Sequence, residues 1–399
     1  MRVLQIHNSY KIPGGEDAVV RNEFELLTNH GISVEQWQVS NHSINTPLST
    51  IQTALSTSYS RRSRNDLQMY LKDKRFDVAH IHNFFPILTT SIYDTLRANG
   101  IPVVQTLHNF RSLCAGGLFL RNGKICENCL EGSPYKSVLH KCYRDSHLGT
   151  LAVAHAIEKQ KTRQVWKNMV DRFIVLTDFA RKKFIQGGFP AHKLRVKPNF
   201  VTTSLPKGPP PPRQGALFVG RLSHEKGIEH LLAVWEKLEA PLTIAGSGPL
   251  EGKIKSLAPK NVKLVGHLSP AKVQSLMTRA QFLVLPSRCY EGFPLVIAEA
   301  FANGLPIIAS RLGAMEELID DHYTGLHFTP DDPADLRRKV LFALENPAHL
   351  ASWGKNSRTV FKQRYSPASN FELLMNIYGE AITASTPLPP SVITSSASL

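Results

Sequence analysis

The sequence predicts an α/β protein built from two Rossmann-like, doubly wound parallel-sheet domains that face each other across a central cleft. Two observations predict it. Short Val/Ile/Leu/Phe runs alternate with helical stretches along most of the chain, and one proline-rich break divides them into two similar halves. They are mostly continuous apolar runs, not clean alternation, as expected of strands covered by helices on both faces. In the first half they fall at 3–7, 34–38, 78–82, 103–108 and 173–177. In the second they fall at 216–219, 242–245, 262–265, 282–285 and 307–310.

The break contains four consecutive prolines, Pro209 to Pro212, which continue neither a central strand nor a helix and favour a stiff, extended spacer. The expected organisation is therefore a first domain over 1–200, a linker at 201–214 and a second domain over 215–365. A C-terminal helix over 366–382 should pack back on the first domain, and the Ser/Thr/Pro-rich 383–399 should be a mobile tail.

Composition narrows the function classes. With 42% hydrophobic and 20% charged residues over 399 positions, the chain can bury full-sized cores and is not disordered by composition. No apolar run approaches the ~18–20 residues needed to cross a bilayer, and the first residues read as a strand and not as a signal peptide. The expected location is cytoplasmic, with peripheral contact at the inner face of a membrane. The net charge of +15 favours anionic partners. Basic clusters at 61–64, 72–75 and 181–183 fall in the first half, which makes anionic lipid a candidate partner, although each cluster alone also fits a solvated face. Nucleic acid is not expected, because no helix-turn-helix, zinc-finger or RNA-recognition signature accompanies the charge.

In open α/β sheets ligands bind outside the carboxyl ends of the strands, so the polar residues just after strands carry the chemistry. After 216–219 comes Gly220-Arg221-Leu222-Ser223-His224-Glu225-Lys226-Gly227. A fork-like Arg, a point-charge Lys and a helix start suit a diphosphate; a plain glycine turn with solvated cations is the alternative. After 282–285 comes a loop carrying Glu291-Gly292-Phe293-Pro294, then a helix that contains Leu295 and, eight positions beyond the first acid, Glu299. A carboxylate beside the free N–H groups of Gly292 and Phe293 can hold a polyhydroxylated ligand, and a second, deeper one can take both hydroxyls of a ribose. Separately, either acid would read as a surface or capping residue. Gly246-Ser247-Gly248 could open a dinucleotide-binding loop, but the third glycine position is Glu251, so the match to an NAD site is weak.

These segments, together with Ala245-Gly-Ser-Gly-Pro249 and Val265-Gly-His-Leu268, resemble the family-4 glycosyltransferases of GT-B fold over nearly all of 215–330, including the Glu-x7-Glu core. The resemblance implies a retaining transferase that uses a nucleotide-diphosphate sugar. It implies that Arg221 and Lys226 grip the donor diphosphate. Glu291, with the backbone of Gly292, Phe293, Pro294 and Leu295, would hold the sugar, and Glu299 the ribose. His267 and Leu268 would lie beside the base. In the first half it implies that the loop at Gly14-Gly15 reaches the donor phosphates, making Gly15 a donor-site residue, and that His108 sits close to the transferred sugar. Read without the resemblance, Gly14-Gly15 is a βα turn with Glu16 and Asp17 capping the next helix, and a His at a strand end is more often structural. His82-Asn83 is a further cleft candidate.

The chain contains no Asp-x-Asp for a catalytic divalent metal. Arg221, Lys226 and a helix start would take the leaving phosphate's charge instead, so no cofactor is expected for catalysis. Cys114, Cys126, Cys129 and Cys142 lie in a polar insertion at 113–146 whose spacing is compatible with a structural zinc. Buried thiols or a redox pair are the alternatives, and His140 and His147 are substitute ligands. The expected acceptor is a glycan or lipid-linked saccharide in cell-surface polysaccharide or glycolipid synthesis. A non-catalytic nucleotide-sugar-binding relative, or a same-fold epimerase or phosphorylase, is the competing reading.

Overall fold

The computed structural model of the chain describes residues 1–11, 14–202 and 211–385. The four-proline spacer lies largely outside the described residues, as does the expected tail beyond Ser385.

The first sheet is formed by β1 (Arg2–Ser9), β2 (Ser33–Ser40), β3 (Val78–Asn83) and β4 (Val103–Leu107), followed after a short antiparallel hairpin, β5 (Leu120–Arg121) and β6 (Lys124–Ile125), by β7 (Arg172–Val175) and β8 (Leu194–Val196). Its six strands run in the order β2-β1-β3-β4-β7-β8, all parallel. The second sheet repeats the plan with β9 (Ala216–Val219), β10 (Leu242–Ala245), β11 (Val262–Gly266), β12 (Phe282–Leu285), β13 (Ile307–Ser310) and β14 (Gly325–Phe328). Its order is β11-β10-β9-β12-β13-β14, again all parallel. In each sheet the chain leaves its first strand in one direction and returns on the other side, which creates a switch point between β1 and β3 and between β9 and β12. A crevice opens there at the carboxyl ends, so the loops after β1, β3, β4, β9 and β12 are those the fold brings to the ligand.

β3, β4, β12 and β13 are buried without interruption, matching the apolar runs of β12 and β13 and enclosing polar His80, His82, Gln105 and Thr106 in β3 and β4. The edge strands β8 and β14 were not expected. Leu194-Arg195-Val196 is only three residues long with a charge at its centre, and Gly325–Phe328 opens on glycine and carries His327. Neither gives an apolar run long enough to read. No helix among the described residues is long and apolar enough to cross a membrane.

The C-terminal helix Pro367–Ser385 extends three residues into the segment expected as tail and packs on the first lobe. Three of its residues tie it there. Glu380 receives Arg172 and Arg195 at 2.7 and 2.8 Å, Tyr378 OH pairs with His80 Nδ1 at 2.8 Å, and Asn370 Oδ1 accepts from Lys197 Nζ at 2.9 Å. Lys197 also donates to Glu23 Oε1 at 2.7 Å, and both side chains are 1% exposed. Burial opposes the charge on Glu23, and Lys197 overcomes it, holding the carboxyl below its ordinary range.

A buried pair of this kind costs most when only one partner is removed. Lys197→Met is therefore expected to destabilise the protein by about 3–5 kcal/mol in denaturant unfolding, and Lys197→Met combined with Glu23→Gln to recover part of the loss. Equal stability of the single variant and the native chain would contradict the pairing.

Candidate active site

Two loops of the second lobe bring the candidate donor-site residues together. The turn after β9 ends at Gly227, where φ is +68° and an added Cβ would stand 1.9 Å from the Pro286 carbonyl oxygen. Only glycine permits that approach. The approach sets the turn carrying Lys226 against the loop that leaves β12. Lys226 Nζ reaches Glu291 Oε1 at 2.5 Å, and Ser287 Oγ donates to the same oxygen at 2.8 Å. Burial draws the Lys226 ammonium down, but Glu291 more than offsets it, and the group stands above its ordinary value. Arg221 is exposed, and its guanidinium has no hydrogen-bond partner among the described residues.

Glu291 precedes the helix Leu295–Ala302, whose N-cap is Pro294 and which has no side-chain cap. The first helical N–H groups are left open to an oxygen-rich ligand. Phe293 is 8% exposed and turns its ring edge-on to Tyr365 at 5.5 Å, so only its backbone is placed for ligand contact. Glu299 stands in the second helical turn. Its carboxylate has no partner among the described residues, and burial raises its pKa, so it is a free acceptor pair of the kind a vicinal diol satisfies. His267 and Leu268 follow directly on the end of β11 at Gly266, which is joined to β10 by Gly246 N donating to Gly266 O at 2.8 Å.

The first lobe meets this group across the cleft at two points. A Cβ at Gly292 would lie 2.4 Å from the His108 carbonyl oxygen, so glycine is needed for the lobes to close at the residue after Glu291. A Cβ at Gly15 would touch Leu295 Cδ1 at 3.4 Å. His108 is the first residue beyond β4, and burial pushes its imidazole down to about 3, so it is neutral. Its Nε2 lies 3.1 Å from Nδ1 of His82, near the end of β3. The structure thus gathers Gly15, His108, Lys226, Glu291, Gly292, Pro294 and Leu295 at one place. Asp17 caps the helix Gly15–Asn29 by accepting from Gly14 N at 2.8 Å, whereas Glu16 does not cap it. Glu16 accepts from Tyr10 OH at 2.9 Å, and burial raises its carboxyl to about 8.

Sequence reasoning missed several residues here. Ser287 lies only two residues beyond the end of β12, where a lone serine gives no sequence signal. A first-lobe cavity beside His108 is lined by Glu16, Phe85, Arg111 and Gln160. Arg111 Nη1 and Gln160 Oε1 are buried there without a partner. These residues come from separate elements, and no spacing in the sequence connects them.

The four cysteines share the insertion, which docks on the second lobe through Arg288 Nη2 to Gly123 O at 3.0 Å and Tyr290 N to Leu118 O at 3.3 Å. All four are free. Cys129 is pushed up to about 11 by burial and then by the other three thiols, which places them as neighbours. No three of their sulfurs stand within 4.8 Å of one another, and among the described residues only Glu23, His80 and His82 form such a group. Holding an ion would require the thiols to draw together. At Glu23 the ammonium of Lys197 already supplies the positive charge a cation would bring.

Comparison with known proteins agrees with this geometry. Residues 27–205 match the family model "Glycosyltransferase Family 4" and residues 206–360 match "Glycosyl transferases group 1". Over 154 residues the chain is 34% identical to an uncharacterized glycosyltransferase of Methanocaldococcus jannaschii, covering 38% of this chain and 43% of that protein. The first curated relatives are thus matched over less than half of their length. Among solved structures, the sucrose-phosphate synthase of Thermosynechococcus elongatus superposes with a TM-score of 0.71 at 20% identity, covering 96% of this chain and 99% of that one. Anabaena HepE in complex with UDP-glucose superposes with a TM-score of 0.64 at 17% identity, covering 95% of this chain and all of that one. At these identities the likeness establishes the fold. With both family models matched in succession and the two-sheet architecture reproduced end to end, the chain belongs to the GT-B glycosyltransferases, a Family 4 domain followed by a group 1 domain.

Proposed function

We propose that this protein is a retaining, metal-independent glycosyltransferase that moves a sugar from a nucleotide-diphosphate donor to a hydroxyl of a glycan or lipid-linked acceptor. The observation that carries the reading is the Lys226–Glu291–Ser287 cluster at an uncapped helix start, closed over by His108 through Gly292. The diphosphate accepts from Lys226, Arg221 and the first helical N–H groups, and Glu291 turns to the sugar hydroxyls. Glu299 takes the ribose diol. As the C1–O bond to phosphate breaks, these groups take up the charge that develops on the leaving oxygens. The acceptor oxygen bonds to C1 on the same face, and its proton leaves with the departing phosphate. The solved relative that holds UDP-glucose supports a nucleotide-sugar donor. The matched glycosyltransferase domains favour transfer over epimerase, phosphorylase or mere binding.

We further propose that the acceptor lobe rests on an anionic lipid surface. Leu48, Ile51 and Leu55 fall on one side of the helix Pro47–Ser56, and Leu148 and Leu151 open the helix His147–Thr162. The two helices touch, and Leu55 and Leu148 are 81% and 80% exposed. Exposed Arg61, Arg62, Arg64, Lys141 and Arg144 flank them in the sequence. Apolar side chains rimmed by cations suit an acidic bilayer.

Lys226→Ala is expected to weaken UDP or GDP binding by ~1.5–3 kcal/mol in calorimetric titration, since it removes a charge-assisted contact to the diphosphate. Unchanged titrations with both nucleotides would remove the diphosphate role. Replacing Leu48, Ile51 and Leu55 together by Ser is expected to abolish co-sedimentation with liposomes containing phosphatidylserine while nucleotide binding persists. Co-sedimentation that is equal for the native chain and the variant, or that ignores the anionic lipid, would contradict the surface assignment.

A further inference from the structure

The buried side chains behind His108 determine which of its two ring nitrogens carries the proton. The backbone carbonyl of Val20, packed against β1, can only accept a hydrogen bond. Gln5 on β1 directs its amide Nε2 at Val20 O, 3.2 Å away, while its Oε1 accepts from Gln36 Nε2 at 2.6 Å. Rotating that amide by half a turn would set oxygen against oxygen at Val20, so Nε2 is the donor end. The same Nε2 lies 3.2 Å from His82 Nε2, which must therefore accept. A neutral imidazole that accepts at Nε2 carries its proton on Nδ1. His82 Nδ1 faces His108 Nε2 at 3.1 Å, so His108 accepts there and carries its own proton on Nδ1.

The alternative acceptor for His82 does not compete. Glu23 Oε2 lies 3.5 Å from both His80 Nδ1 and His82 Nε2, beyond ordinary hydrogen-bond reach, and is recorded without a partner. Its other oxygen is held by Lys197. His80 is satisfied elsewhere, by Tyr378 OH and by Thr106 Oγ1 at 2.7 Å. Both His82 and His108 are neutral, since burial lowers each well below the ordinary imidazole range.

We propose that Gln5 and His82 are positioning residues that lock His108 with its proton on Nδ1, so that His108 meets its ligand as a hydrogen-bond donor and not as a base. His108 Nδ1 has no partner among the described residues, and the ring borders the first-lobe cavity. A fixed N–H there donates to a sugar hydroxyl or to an oxygen gaining negative charge, and it cannot take the acceptor's proton. That the ligand is a donor sugar rests on the proposed transferase reading; the proton's position does not.

The test separates the two. In the full chain labelled with 15N-histidine, long-range proton–nitrogen correlation spectra report the tautomer of each ring, and the signals lost in His108→Asn identify residue 108. The expected native pattern has the proton of His108 on Nδ1, a result that requires neither substrate nor activity. His82→Asn places an amide N–H where His82 Nδ1–H stood and should keep that pattern. His82→Asp places an acceptor there and should move the proton to Nε2. In turnover of a nucleotide-sugar donor, His82→Asp is expected to lower kcat ~10–100-fold relative to His82→Asn with little change in KM. A proton on Nε2 of His108 in the native chain would overturn the proposal, as would matching spectra and turnover for the Asn and Asp variants. The correct native pattern without turnover of any nucleotide sugar would retain the lock and remove the transferase reading.

Discussion

The contact between Lys226 and Glu291 is the interaction on which the rest of the site depends. A cation and an anion held at 2.5 Å beside an uncapped helix start make a place that accepts phosphate on one side and offers an oxygen acceptor to hydroxyls on the other. Neither residue could stand there without Gly227 pressing on the Pro286 carbonyl, because any side chain at 227 would separate the two loops. The same loop then continues to Gly292, where the opposite lobe closes to within van der Waals contact at His108. The two glycines therefore do different work. One assembles the charged pair within a lobe, and the other lets the lobes approach over it.

Support for the first lobe is supplied from a distance in sequence. The C-terminal helix crosses back to fasten Lys197 and His80, which in turn flank Glu23 beneath the sheet. His82 lies beside His80, its ring tilted and the centroids 4.1 Å apart, and passes the ordering on to His108. Buried polar groups in such a layer are costly unless each finds a partner. Here nearly every one does, and the partners come from β1, β3, β4, the segment after β8 and the C-terminal helix. The cleft face of the lobe is thus anchored by the last helix of the chain.

Much of this was legible in the sequence, for physical reasons that differ between residues. The central strands declare themselves because burial on both faces demands continuous apolar runs, and the residues immediately after them, Lys226, Glu291 and His108, stand where a doubly wound sheet must open its crevice. The edge strands β8 and β14 are short and interrupted by Arg195 and by Gly325 and His327, so neither offers such a run. The hydrogen-bonded layer behind His108 was illegible because its members are ordinary strand and helix residues whose partnership exists only after the sheet order is known. Gln5 and His82 meet because β1 and β3 are neighbours in the sheet although 77 residues apart in sequence. The cysteines illustrate the converse. Their spacing announces a cluster, and the fold does bring them into one insertion, yet sequence spacing carries no information on whether four sulfurs come within ligating distance.

We propose that protein cations and a helix start, without a divalent ion, stabilise the departing nucleotide diphosphate. The decisive measurement is donor turnover by the purified full chain in excess chelator, with and without added magnesium or manganese. Sugar release or transfer is expected to continue in chelator and to change little when either metal is restored. Turnover that stops in chelator and returns with the added ion would overturn this reading.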